Sequence, residues 1–126
     1  MYGYKKKVNA TFDEALQRTK EELQKEGFGV LTEIDVKAIL QKKLNVEFDN
    51  YMILGACNPP FAYQALEAEK DIGLLLPCNV IVYEHKGKTF VSAILPTVAM
   101  SMVDNEKLRG IAVQVEQKLK KVVDSI

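Results

Sequence analysis

The 126-residue sequence has no tryptophan, one histidine, two cysteines and four prolines, and each shortage removes a class of function. Cys57 and Cys78 lie 21 residues apart, which makes neither a disulfide framework nor a CxxC redox motif, and they suit a reducing compartment. His85 and two cysteines fall short of the four ligands a structural zinc site normally wants, and no close-spaced ligand pair occurs, so no metal site is assigned. No run approaches ~18 consecutive apolar residues. The first ten residues alternate and carry lysines, which argues against a membrane span or a secretion signal and sets the expectation of a soluble, cytoplasmic protein. An excess of charge is also missing: seventeen basic and seventeen acidic side chains cancel, so composition supplies no general attraction to nucleic acid, and none is expected as a partner. The glycines form neither a dinucleotide fingerprint nor a phosphate-binding loop.

What is present reads as one α+β domain over residues 1–126. The apolar fraction of 48% against 27% charged is enough to bury a core without disulfides or metal. Tyr2, Tyr4 and Val8 alternate with polar neighbours and predict a strand over 2–9. Thr11 and Glu14 form a capping box for a helix whose inner face is Phe12, Ala15, Leu16, Thr19 and Leu23, and Gly27 can end it. Phe28, Val30, Thr32 and Ile34 are expected on one face of the next strand, with Leu31 on the other. Asp35 can cap a short helix facing inward through Val36, Ile39, Leu40 and Leu44. Residues 51–57, apolar or small on both faces, read as a covered internal strand. Asn58 followed by Pro59 is a natural helix start, with Phe61, Ala65 and Leu66 inward. Cys78 to about Glu84, a turn at Lys86 and Gly87, and Thr89 to Leu95 form a hairpin. A last helix from about Asp104 repeats Leu108, Ile111, Ala112, Val115, Leu119, Val122, Val123 and Ile126 at spacings of three and four. Two principal helices would cover one sheet face. The other needs a cover from the short helices near 36–44 and 59–68, or from another subunit.

Three blocks carry a resemblance: Gly-Phe-Gly-Val-Leu-Thr-Glu-Ile-Asp-Val-Lys at 27–37, Tyr-Met-Ile-Leu-Gly-Ala-Cys-Asn-Pro-Pro at 51–60, and Gly-Leu-Leu-Leu-Pro-Cys-Asn-Val at 73–80. With Ala65-Leu66 and the segment from Pro96 to Met100, the chain resembles the bacterial and archaeal family of unknown function numbered 302 over nearly its whole length. The resemblance implies a β-α-β(4)-α arrangement with short inserted helices, grouped with TATA-binding-protein-like folds, and a homodimer. It implies no established activity, and fold grouping licenses no DNA-binding role.

The repeated Cys-Asn pair, Cys57-Asn58 and Cys78-Asn79, is the most suggestive local feature, because neighbouring strands would bring the two thiols together. A reactive or metal-binding thiolate must be exposed and electrostatically stabilised, whereas buried structural cysteines need neither. Asn58 has a plain role as a helix cap and Asn79 as an Asx-type tether after Pro77. Tyr51, Phe61 and Tyr63 border the same motif. Two readings stay open. The first is a non-enzymatic binding or interaction domain, a homodimer with a small-molecule pocket near Cys57, Asn58, Tyr63, Cys78 and Asn79. The second is a cysteine-dependent enzyme, redox or metal-binding protein using Cys57 and Cys78. No catalytic residue and no cofactor is assigned. His85, beside a Lys-Gly turn, reads as an exposed hairpin tip, and Glu33, Asp35, Glu67, Glu69 and Asp71 show no spacing that fixes an acid/base pair.

Overall fold

The computed structural model describes residues 1–126. The chain runs β1 (Gly3–Val8), α1 (Phe12–Lys25), β2 (Gly29–Asp35), α2 (Val36–Leu44), β3 (Tyr51–Cys57), α3 (Pro59–Ala68), a 3-10 turn (Lys70–Leu75), β4 (Cys78–His85), β5 (Lys88–Ile94), α4 (Pro96–Ala99) and α5 (Glu106–Asp124). This is an α+β fold with the expected order of strands and principal helices. The 3-10 turn and α4 are additions that the sequence pattern did not mark.

The five strands form one antiparallel sheet in the order β1-β5-β4-β3-β2. Its centre is the β4–β5 hairpin, closed where Lys86 and Gly87 both take positive φ, 52° and 77°. That pair of left-handed residues matches the twist of two antiparallel strands. Period-two alternation then sends Val80, Val82, Val91 and Ala93 to one face, where all are buried.

That face is covered by helices whose sequence signals act locally. Thr11 and Glu14 make the reciprocal capping box of α1, and Ala15, Thr19 and Leu23 are its buried stripe. The helix ends in a Schellman motif: Gly27, at φ 86°, donates to Gln24 O while Phe28 donates to Leu23 O. In α5 every predicted inward residue from Leu108 to Val123 is buried, and Asn105 caps the first turn through Leu108 N–H. Strands and helices share a cluster of 21 buried residues from Val8 to Val123.

Three expectations change. A β-bulge between Val30 and Thr32 leaves Leu31 as an extra residue. It reverses the strand's faces midway, so Thr32 and Ile34 pair with Gly55 and Ile53 on the side away from the helices, while Val30 opposite Ala56 stays inward. No residue of α2 is buried, so its apolar stripe faces no core. Finally, α3 packs against α5 in the helical layer and does not cover the second sheet face. That face carries Ile34, Ile53 and Ile81 in register, with Tyr51, Tyr83 and Phe90 stacked across three strands at centroid spacings of 5.2 and 5.3 Å.

Gly55 marks where β3 is pressed closest. A Cβ there would lie 2.9 Å from Pro77 Cγ and against the Thr32 hydroxyl. Gly55→Ala is therefore expected to lower stability by about 1–3 kcal/mol, read as a lower urea midpoint; an unchanged midpoint would contradict this packing.

Candidate functional site

The end of the sheet where β3 finishes and β4 begins lies under α3, α4 and α5. Helix packing is loose here for a simple reason: the facing positions are small. Ala56 on β3, Ala62 and Ala65 on α3 and Ala112 on α5 leave a cavity of about 280 Å³. Phe28, Phe61, Leu66, Met100 and Val115 also line it, and the bulge residue Leu31, 66% exposed, contributes from the sheet edge. No lining residue is charged, and Asn58 alone among them brings an amide.

Asn58 stands between β3 and α3 at the helix's N-cap position, yet its side chain makes no capping hydrogen bond. The expected cap is replaced by a longer reach: Nδ2 donates to Glu26 O at 3.1 Å. The reason lies at the start of the helix. Pro59 and Pro60 have no N–H to offer, so a cap there has little to satisfy. Glu26 is the C-cap of α1, its carbonyl is left over by the Schellman closure, and its carboxylate is approached by Lys121 at 3.4 Å and Lys118 at 3.9 Å from α5. Gly27 must let the amide past, since a Cβ there would lie 3.2 Å from Asn58 Nδ2.

Antiparallel pairing sets Ala56 opposite Cys78 and leaves Cys57 one residue beyond that pair, at the end of β3. Both cysteines are free and both residues line the cavity, Cys57 half-buried and Cys78 buried. Burial, and secondarily the neighbouring Cys57, push the Cys78 thiol up to about 11. At neutral pH it stays protonated, the opposite of what a nucleophilic or metal-binding thiolate needs. No three His, Cys, Asp or Glu side chains gather as a ligand set.

The structure thus brings together Cys57, Asn58 and Cys78. It does not bring Asn79, which pairs with Gly55 and points to solvent on the opposite sheet face from Cys78, nor Tyr63, 67% exposed on the outer side of α3. Tyr51 belongs to the aromatic stack on the second face. His85 is exposed at the hairpin. Glu33 pairs with Lys20 at 2.8 Å, Asp35 accepts from Ala38 N–H, and Glu69 accepts from Asn105. Sequence reasoning missed Leu31, Met100, Ala112 and Val115, whose only signal was small or apolar character on faces already explained by the core. A larger depression of about 760 Å³ between α2 and residues 46–49 contains the carboxylates of Asp35, Glu47 and Asp49, but the Asp35 carboxylate is already engaged as a cap.

A family model described as domain of unknown function DUF302 matches residues 4–126. Among solved structures the chain is similar to the crystal structure of an uncharacterized conserved protein DUF302 from Bacillus stearothermophilus. The two are 34% identical, the match covers 98% of this chain and 97% of that one, and the TM-score is 0.93. No curated protein matches.

The Cys78 shift gives a pH signature. Its folded value of about 11 lies above the ordinary 9.0, so the folded state holds the proton more tightly. The resulting stabilisation is complete below about pH 9 and is lost as pH rises through 11. Urea stability of the wild type should fall more steeply across that window than that of Cys78→Ala; parallel curves would refute the assignment.

Proposed function

The chain belongs to the DUF302 family, and from that premise we propose that it is a non-enzymatic binding protein that works as a homodimer of one-domain subunits and holds a small apolar molecule in the cavity at Asn58. The observation that carries this reading is the cavity itself: about 280 Å³, uncharged, with one amide set into an apolar wall. Ligand sites are mostly apolar with a few placed polar groups, and begin at roughly 300 Å³. An apolar cavity of ~150 Å³ takes a benzene, so this one suits a molecule of one or two rings. The paired free cysteines fit a reducing, cytoplasmic setting. The competing cysteine-dependent reading is disfavoured by the protonated Cys78 thiol.

The experiment is a titration with naphthalene, followed by backbone amide shifts. Shifts centred on Ala62, Ala65, Ala112 and Val115 are expected. In Ala112→Leu, affinity should drop at least ~10-fold with the fold retained, since the larger side chain occupies the empty volume that the ligand needs. No shifts in the wild type, or unchanged affinity in Ala112→Leu, would overturn the reading.

The dimer rests on separate surfaces. The second sheet face has no helical cover, and beside it Ile34, Ile39, Leu44, Val46 and Phe48 are each 40% exposed or more. Exposed apolar side chains gathered beside an uncovered sheet face mark an interface, and a second copy is its simplest closed occupant. Light scattering should give twice the 14.2 kDa chain mass. Ile34→Lys, at an already exposed edge position, should shift it toward the monomer; a wild-type mass of one chain across concentration would dismiss the dimer.

A further inference from the structure

Asn58 is placed to do more than hold a helix end. Its amide orientation is not arbitrary: only the NH2 end can face the Glu26 carbonyl, 3.1 Å away, so Oδ1 is turned from that bond. Oδ1 accepts no hydrogen bond from any group of the chain, although the residue is only 8% exposed. It is not sealed off, because no buried side-chain polar atom is left without a partner, and the space Asn58 lines is the cavity. A nearly buried acceptor with no fixed partner favours a ligand that supplies a donor.

The surroundings define the rest of that ligand. No charged side chain lines the wall, so an ionised group would enter unpaired and lose its hydration without compensation. The N-terminus of α3 offers an anion little: its first two residues are prolines, Ala62 N–H is spent on Asn58 O, and Phe61 N–H alone is left free. Three sulfur-bearing residues, Cys57, Cys78 and Met100, stand around the same space with Phe28 and Phe61. Sulfur and ring contacts favour a flat, polarisable aromatic over a saturated molecule.

We infer that the cavity selects a neutral aromatic molecule of one or two fused rings bearing a single N–H or O–H donor, and that Asn58 Oδ1 accepts that hydrogen bond. The inference rests on the binding reading above and narrows it to a ligand class. Asn58 is in this view a specificity residue, tethered by one end of its amide and reading the ligand with the other.

The test uses the full chain and two molecules of nearly equal shape, indole and benzothiophene, in which sulfur replaces the N–H. Calorimetric or amide-shift titrations should show indole binding ~3–10-fold more tightly, the worth of one neutral hydrogen bond, with the Asn58 side-chain amide signals moving for indole and little for benzothiophene. Equal affinities, or a preference for benzothiophene, overturn this inference and leave the apolar-pocket reading standing. Binding of neither overturns both. Asn58→Leu should erase the preference while its circular dichroism stays native; a retained preference would show that another group reads the donor. Should that variant fail to fold, the wild-type comparison still decides.

Discussion

The carbonyl of Glu26, the C-cap of α1, has to find a donor once Gly27 and Phe28 have closed the helix, and Asn58 Nδ2 supplies it from just past the far end of β3. That one bond joins elements 32 residues apart and fixes three things together. It sets where α3 departs from the sheet, because Asn58 is the single residue between the end of β3 and Pro59. It requires glycine at 27, for the positive φ and for the close passage of the amide. It also orients Asn58 so that Oδ1 is free of the chain. A buried amide left without its partner generally costs 1–3 kcal/mol, a strong constraint on a domain whose total stability is of order 5–15 kcal/mol.

Much of the fold was legible because its signals are local. A capping box at Thr11 and Glu14, a left-handed turn at Lys86 and Gly87, and a seven-residue buried stripe in α5 are each decided by neighbours within a few positions. The bulge at Leu31 is different in kind. Alternation put Phe28, Val30, Thr32 and Ile34 on one face, but one extra residue reverses every side chain beyond it, and what selects the bulge is the pairing of Val30 with Ala56 and Thr32 with Gly55 on another strand. The stripe of α2 misled for a related reason. Periodicity says that a helix has an apolar side, and not whether this chain provides the surface to meet it.

The candidate site shows the same division. Cys57, Asn58 and Cys78 converge because they lie at adjoining ends of antiparallel neighbours, a consequence of strand pairing that the two Cys-Asn repeats hinted at. Asn79 is carried to the other side by the two-residue period of the strand, and Tyr63 lies on the exposed side of α3. Composition near the motif could not separate these cases. Nor could it reveal the wall from α5, since Ala112 and Val115 occupy the same stripe that builds the core.

The alanines around the cavity are not there for the helices. Leucine is almost as good a helix former as alanine, and it would fill the space between α3, α5 and the sheet, adding roughly 1.5–3 kcal/mol per fully buried side chain. Small side chains at Ala56, Ala65 and Ala112, all nearly inaccessible, thus forgo packing in a region where a polar acceptor is also left without a fixed partner. Either feature alone has an ordinary structural explanation. Their coincidence, in a wall without charge and beside a helix start without free amides except Phe61 N–H, is a local departure from close packing and polar pairing of the kind that functional sites impose. The same sheet end that most constrains the fold, through Asn58 and Glu26, is therefore also the end that the fold leaves unfilled.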